Sequence, residues 1–537
     1  MKISRTMEEL VGDLTGSPPR DDRQCDNTAR LASLSKTFYS RLGIDVPLKS
    51  SPDPGSIILE SGHQPNFLPH CGMWKKAFLL SWIQRKITES GNDSTAFFGF
   101  ADLNLSTAKY LYRNQIPAVN TSGSEPVGFK IDEKFRFRSF RTHQKPSSEE
   151  WQKEMDRIRQ FYLGNARKLA GSPQPIQSSL DTLMGTLWQS YERAENFAEL
   201  NAFIFARICH EILGFDLHFF MYSDIQKEKI FLDESIRLLN QLPAYNQVYN
   251  RTIQERKLKI PEVTAGHMPF WYHCRCGTKV EITIDELWTG RGTCPSCKEE
   301  HILEFGNNFE DLGNYYGSMD FTAVSRNLVV SQGIGNALFI PGAGGSLQYG
   351  EISGAIAGIC SFHQPSVLTW RSTDCYLGLV HAIALKDLMK AGGIDRDDMI
   401  GPVMVNKVTG KVEAISADIS RMEKANEDKK NIKALKNTLH NFTNLVESAG
   451  KIFSLTPSAL DVLVNNDQKK IPALWSAVCE QSAVTTEGRL NHIEGKILYP
   501  NVLLPDLAPV ALPELYRSMR ELEAIHDKKN SHHQPAH

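Results

Sequence analysis

Short apolar runs alternate with amphipathic stretches along most of this chain. Residues 28–42 space their apolar positions as a helix and stop at Gly43. After a turn cluster at 50–56, Ile57, Ile58 and Leu59 form a short apolar run that leads into SGHQPNF, the pattern of a buried strand feeding a loop. Helical spacing resumes over 73–86, and a second apolar run covers 95–101 with Asp102 just past its end. Residues 120–150 are polar and read as an excursion from the core. Helix patterns dominate 149–213; the best, 195–213, sets Phe197, Leu200, Phe203, Ile204, Ile208 and Ile212 on one face before Gly214. The aromatic run 215–222 predicts a strand, and 224–241 predicts helix. Strand, glycine loop and helix recur at 337–357, then strand and helix near 366–385. The alternation predicts an α/β fold with a mostly parallel sheet.

Two regions break the rhythm. Residues 267–306 are rich in Cys, Gly and Trp with short β-like runs. Residues 415–453 are the longest helical candidate. From Ile432 the apolar positions run Leu435, Leu439, Phe442, Val446, Ala449 and Phe453, alternating steps of three and four. That spacing serves a coiled coil or a long amphipathic helix laid on the body equally well. The expected partition is a flexible segment at 1–27, a first part of the core with a helical insert at 28–266, a ribbon at 267–306, the second part of the core at 307–414, a helical or coiled-coil region at 415–524 and a disordered tail at 525–537.

A chain of 537 residues has room for three or four domains of roughly 150 residues. Lys plus Arg total 60 against 62 Asp plus Glu, a net charge of −2, which argues against a wholesale nucleic-acid binder. No apolar run reaches the ~18 residues of a membrane helix. The charged start MKISRTMEELVGD leads to no expectation of a signal peptide. Of ten cysteines, four fall between Cys274 and Cys297 and the rest are scattered. That distribution fits a reducing cytoplasm and one metal site.

The metal candidate is Cys274, Cys276, Cys294 and Cys297: C-R-C-G, then C-P-S-C about twenty residues on. Two knuckles on hairpins supply four ligands for tetrahedral zinc. The first knuckle is one residue short, and counting back three from Cys276 reaches His273, so His273 competes with Cys274. A full protein ligand set leaves no open position, so the zinc is read as structural. The competing reading is four buried thiols in a small β lobe.

The loop SGHQPNFLPH follows one predicted strand and precedes a helix. Beyond the carboxyl end of a parallel strand, His63, Gln64, Asn66 and His70 would stand near a helix N-terminus, where anions are favoured. His63 is the candidate donor to a phosphate oxygen. A turn shaped by Pro65 and Pro69, with polar groups bonding their own backbone, is the alternative. PGAGGS follows a second strand; Gly342, Gly344, Gly345 and Ser346 would let a ligand approach the backbone, or would simply make a tight turn. It has no P-loop Lys. Asp102 is a candidate for an amine, a ribose hydroxyl or Mg²⁺, and equally for a helix N-cap.

These segments, in this order, resemble the bacillithiol-biosynthesis cysteine-adding enzymes, a family of cysteine ligases. The carrying residues are ESGHQPNFLPHCGMWKKAF, TAFFGFADLN, SRNLVVSQGIGNALFIPGAGGSLQYGEI, FHQPSVLTWRSTD and GRLNHIEGKIL, the last similar to a family helix. The likeness spans most of 28–500, with each motif loose. His63 stands where the family has Gln, and the ribbon is outside the family pattern. HQPNFLP alone is also similar to the WbqC-like family.

The resemblance implies a Rossmann-like core, an adenine nucleotide with Mg²⁺ as its companion, and carbon–nitrogen ligation. The substrates would be an amino acid, cysteine first, and a small amine-bearing acceptor, in the cytoplasm. His63, Gln64, Asn66 and Asp102 would be catalytic, Asp102 holding the amine; His63, His70, Gly342, Gly344, Gly345 and Ser346 would hold the cofactor. The heptad helix would allow a homodimer. The contrasting expectation is a non-catalytic scaffold using the ribbon and the heptad helix.

Overall fold

In a computed structural model of the chain, the structure describes residues 2–48, 51–342, 345–395, 398, 402–487, 490–499 and 512–531. The chain opens with β1 (Lys2–Arg5), α1 (Met7–Thr15) and α2 (Asp22–Leu42), followed by β2 (Ile57–His63), α3 (Cys71–Glu89) and β3 (Ser94–Phe100). A hairpin of β4 (Arg113–Pro117) and β5 (Ser124–Gly128) leads to α4 (Ser148–Ala170), α5 (Gln174–Arg193) and α6 (Phe197–Arg207). Next come β6 (His218–Met221), α7 (Tyr222–Lys227), α8 (Leu232–Leu239) and α9 (Leu242–Arg256). The cysteine-rich block forms β7 (His267–His273), β8 (Lys279–Ile284), β9 (Thr289–Thr293) and β10 (Glu300–Glu304), and β11 (Met319–Phe321) follows. Then α10 (Ala323–Ile334), β12 (Leu338–Ile340), α11 (Gly345–Cys360), β13 (Ser366–Cys375) and α12 (Leu379–Gly392) alternate. The chain ends with α13 (Pro402–Lys424), α14 (Lys429–Ser454), α15 (Ala459–Asn465), α16 (Ile471–Gln481), β14 (Val484–Glu487), β15 (Leu490–Leu498) and α17 (Leu512–Ser531).

Eight strands form the central sheet in the order β1-β14-β15-β13-β12-β2-β3-β6. The run from β15 to β6 is parallel, and β14 and β1 close one edge antiparallel. All seven residues of β3 are buried, as a strand covered on both faces requires. Leu59, Phe98 and Phe219 enter one core with Trp74 and Ile83 of α3. Ile58, Phe97 and Phe220 enter the other with Val329 and Val330 of α10. The predicted mixed α/β class and mostly parallel sheet are what the chain forms.

Several expectations need correction. Residues 2–27, expected to be flexible, carry β1, α1 and the first turn of α2; a capping box at Thr6 and Glu9 starts α1, and another at Asp21 and Gln24 starts α2. The region 415–524 is not purely helical. It returns two strands to the central sheet, and GRLNHIEGKIL contributes β15, not a helix. Ile493 and Ile497 are four apart, which suits a helix, but here both point to one sheet face and are buried. α17 runs into the expected tail as far as Ser531. The ribbon extends past 306, because β11 pairs with β7 to complete a five-stranded antiparallel sheet.

The second half of the heptad seam of α14 is filled from within the chain, while Ile432, Leu435 and Leu439 stay half-buried outside that core. Phe442, Val446, Ala449 and Phe453 share a core with Ala384 and Leu388 of α12, Val405 and Val408 of α13, and Leu515 and Met519 of α17.

Candidate functional site

β2 and β12 lie side by side and parallel, with Leu338 opposite Leu59 and Ile340 opposite Ser61. From β2 the chain builds outward through β3 to β6; from β12 it builds the other way through β13 to β15. Neighbouring strands whose connections diverge leave a crevice beyond their carboxyl ends. A cavity of about 600 Å³ is there, walled by His63, the first turn of α3, Ile340–Gly342, the far end of β13, the segment 454–457 and Tyr516 and Arg520 of α17. The two loops singled out in the sequence therefore reach one cavity through His63, His70 and Gly342.

α3 begins at this wall. His70, its N-cap, makes no side-chain capping bond, and its Nδ1 is buried without a partner. His70, Cys71, Gly72 and Met73 all line the cavity, so the positive end of a 19-residue helix faces it. One turn on, Lys75 Nζ donates to both Asp374 oxygens at 2.7 and 2.6 Å, pinning α3 to β13. Lys76 is 5% exposed and donates to the Gly62 carbonyl at 2.5 Å. Burial, and then repulsion from Arg326, pull its ammonium down to about 7, with Glu60 opposing. On the neighbouring strand position, burial raises Glu60 to about 7, although Tyr222 Oη and Asn336 Nδ2 donate to it at 3.2 and 3.1 Å.

His63 does not suit the phosphate-donor role. Its Nδ1 lies 3.1 Å from the Gln64 carbonyl oxygen, which can only accept, so Nδ1 carries the proton. Burial, with repulsion from Lys76, holds the ring neutral by lowering it to about 3. Nε2 is then a lone pair. It can accept a hydrogen bond from an N–H or O–H, and it is too weak a base to remove a proton near neutrality.

Gln64 and Asn66 shape the loop and do not line the cavity. The Gln64 carbonyl also takes the Asn66 amide at 2.9 Å, Asn66 Nδ2 points at Met73 Sδ at 3.7 Å, and Asn201 Nδ2 holds the Pro65 carbonyl at 2.7 Å. Asp102 is 0% exposed and is also absent from the cavity wall. One oxygen accepts from Arg141 Nη1 at 3.0 Å and the other from the Ser223 amide at 3.0 Å, at the start of α7. Both oxygens thus serve the fold, at a distance from the cavity. Gly342 lines the cavity; Gly345 and Ser346 lie in the first turn of α11; Gly344 falls outside the described residues.

Sequence reasoning missed Lys75, Lys76, Trp370, Arg371, Asp374 and Arg520, all of which line the cavity. Five of the six lie in the segments that carry the resemblance, without a role assigned to them there; a further signal was a Lys-Lys pair inside an otherwise apolar helical stretch, Trp74 to Leu80, in which every residue is buried.

The second site is the cysteine cluster. Cys274 Sγ and Cys297 Sγ are 3.5 Å apart, and Cys276 Sγ and Cys294 Sγ are 3.6 Å apart. The Cys297 amide donates to Cys294 Sγ at 3.5 Å, the knuckle bond that favours a thiolate. All four sulfurs lie within 4.8 Å of one another and none is in a disulfide. Sulfurs bound to one tetrahedral zinc at ~2.3 Å would stand roughly 3.8 Å apart. The four cysteines thus form a group able to hold a metal ion. His273 is outside that group, so the residues brought together at the first knuckle are Cys274 and Cys276.

The described residues include no helix long and apolar enough to cross a membrane. The chain matches no family model, and no curated protein matches it significantly.

Proposed function

We propose that this chain is a nucleotide-dependent ligase-like enzyme on a Rossmann-like core. On this reading it joins an amino acid, cysteine being the first candidate, to a small amine-bearing acceptor. The observation that carries the reading is the cavity at the divergence of β2 and β12, in a parallel sheet whose chain order reads 3-2-1-4-5-6 from β6 to β15. A volume of about 600 Å³ suits a small-molecule site. The first-turn amides of α3 and the backbone at Gly342 would receive nucleotide phosphates, with Mg²⁺ as their companion. His63 Nε2 would accept an N–H of the attacking amine and hold its lone pair toward the activated carboxyl carbon. The motif order supports the ligase family over other nucleotide enzymes. The cysteine cluster, in this reading, holds a structural zinc.

Calorimetry of ATP, ADP and adenosine against wild type and His63→Ala tests it. Wild type should bind both phosphorylated ligands more tightly than adenosine. His63→Ala should leave the ATP Kd within about threefold, because no phosphate bond is lost. A selective loss of ATP in the variant would restore His63 as a phosphate donor. Absence of ATP and ADP binding to wild type would sink the nucleotide reading and favour a scaffold.

A further inference from the structure

Three lysines are buried among the described residues: Lys75, Lys76 and Lys279. A buried ammonium needs a counter-charge, because desolvation otherwise costs several kcal/mol. Lys75 has Asp374, and Lys279 has Asp320. Lys76 has no carboxylate within ion-pair distance among the described residues; its Nζ rests on the Gly62 carbonyl and over the Phe98 ring at 5.5 Å. Yet Lys76 is the one that lines the cavity beside the N-terminus of α3 without a carboxylate of its own. The protein thus sets a buried amine and the positive end of a helix at one cavity, with no carboxylate in ion-pair contact with that amine among the described residues.

We propose that Lys76 is the anion receptor of the cavity: it takes up a proton from solvent as a phosphate group enters, and the resulting ammonium pairs with that phosphate. The balance is simple. A neutral amine, one proton and a phosphate oxygen give an ammonium–phosphate pair, with no bond broken in the ligand.

The groups facing Lys76 fit this role. From β2 come Glu60 and His63; from α10 comes Arg326, whose charge opposes the ammonium; Lys75, its chain neighbour, is neutralised by Asp374 of β13. Among the described residues Glu60 is the one carboxylate that favours the charged lysine, and it already accepts from Tyr222 and Asn336. In the free protein burial lowers Lys76 to about 7, so above that pH the neutral amine prevails. A bound phosphate favours the charged form and raises it. Binding above pH 7 therefore consumes a proton and weakens as pH rises; below that pH the lysine is already charged and uptake fades. The inference leans on the nucleotide reading only for what carries the phosphate.

The test is calorimetry of ATP and of inorganic pyrophosphate with the full chain at pH 8, in two buffers of different ionisation enthalpy. Wild type, Lys76→Met, Lys76→Arg and Glu60→Gln are compared, and wild type is repeated from pH 7 to 9. Wild type should take up close to one proton per site, and its Kd should rise by up to tenfold per pH unit. Lys76→Met should bind at least tenfold more weakly with no uptake. Lys76→Arg, permanently charged, should bind without uptake. Glu60→Gln should keep the uptake, which assigns it to Lys76. Binding to wild type without uptake, or full affinity in Lys76→Met, overturns the proposal and leaves the nucleotide reading intact. Pyrophosphate binding with uptake while ATP fails sinks the nucleotide reading and keeps the receptor. Failure of both ligands overturns both. Should Lys76→Met melt early, Lys76→Arg decides: uptake that persists there refutes the assignment.

Discussion

Asp102 lies just past a buried strand, where an acidic residue can serve a ligand or the fold. Here the fold holds both oxygens, one on Arg141 and one on the Ser223 amide, with the carboxylate fully buried. Asp102→Ala should therefore cost about 3 kcal/mol in urea unfolding, because it strips a charged hydrogen bond from Arg141 and uncaps α7. Asp102→Asn, which can still accept from Ser223, should fall between. ATP affinity should not move in either. A variant with intact stability and lost binding would return Asp102 to the active site. The contrast with His63 explains what a sequence can say about single residues. Both end apolar runs on neighbouring parallel strands, yet His63 leaves its strand at the crevice and Asp102 leaves one strand farther out, under the 137–142 loop. Strand order decides between them, and strand order is long-range. Lys76 was hidden for a related reason: in a helical pattern a lysine reads as solvated, and only the packing of α3 against β2 shows that it is not.

A lobe as small as the ribbon would depend on metal to stay folded if it had to build a core of its own. Its strands instead join a larger core: Val280, Ile282 and Phe305 pack in one cluster with Tyr245 of α9 and Val324 of α10. Metal should therefore secure the knuckles more than the strands. Purified protein should carry one zinc per chain by elemental analysis. Cys294→Ser should lose it and speed amide exchange around 274–278 and 294–299, while β2 and β3 keep their protection. Because the Gly277 carbonyl takes the Ser139 amide at 2.9 Å and the Lys279 amide bonds the Phe137 carbonyl at 3.1 Å, faster exchange should spread to 137–142. Metal-free protein with unchanged exchange would mean the four thiols are core residues only.

Elements were readable from the sequence where one local pattern sufficed. The apolar runs became β2, β3 and β6, and the helix ending at Gly43 stops on a left-handed residue with φ 75°. They were unreadable where pairing decides. β1 has one apolar residue in four and exists because β14 offers it an edge. The apolar face of α14 is real, but sequence spacing could not say that the partners of its second half, from Phe442 on, are α12, α13 and α17 of the same chain.

At the scale of the molecule the charges balance to −2, but they are not evenly placed around the cavity. Its mouth continues into a groove of about 500 Å³ over β13 and β15, where register sets Arg371 beside Glu494 and Thr373 beside Lys496. Arg520 reaches the same rim from α17. None of these three cations has an ion-pair partner among the described residues, and Asp374, the acidic wall residue, is neutralised by Lys75. Glu494, beside His492 at 3.5 Å, is the opposing charge at the rim. Exposed and unpaired cations add little to the strength of a bound complex but steer an anion during approach. A phosphate-bearing ligand should therefore associate several-fold more slowly when salt is raised from 0.02 to 0.5 M, as the screening length falls from roughly 20 Å to about 4 Å. Its dissociation rate should hardly change, because the desolvated contacts at Lys76 and α3 are screened far less. Arg371→Ala with Arg520→Ala should flatten the salt slope of association and leave dissociation as it was. Stopped-flow mixing with a fluorescent ATP analogue measures both rates. A salt effect carried mainly by dissociation would place the ligand on the exposed rim, not in the crevice between β2 and β12.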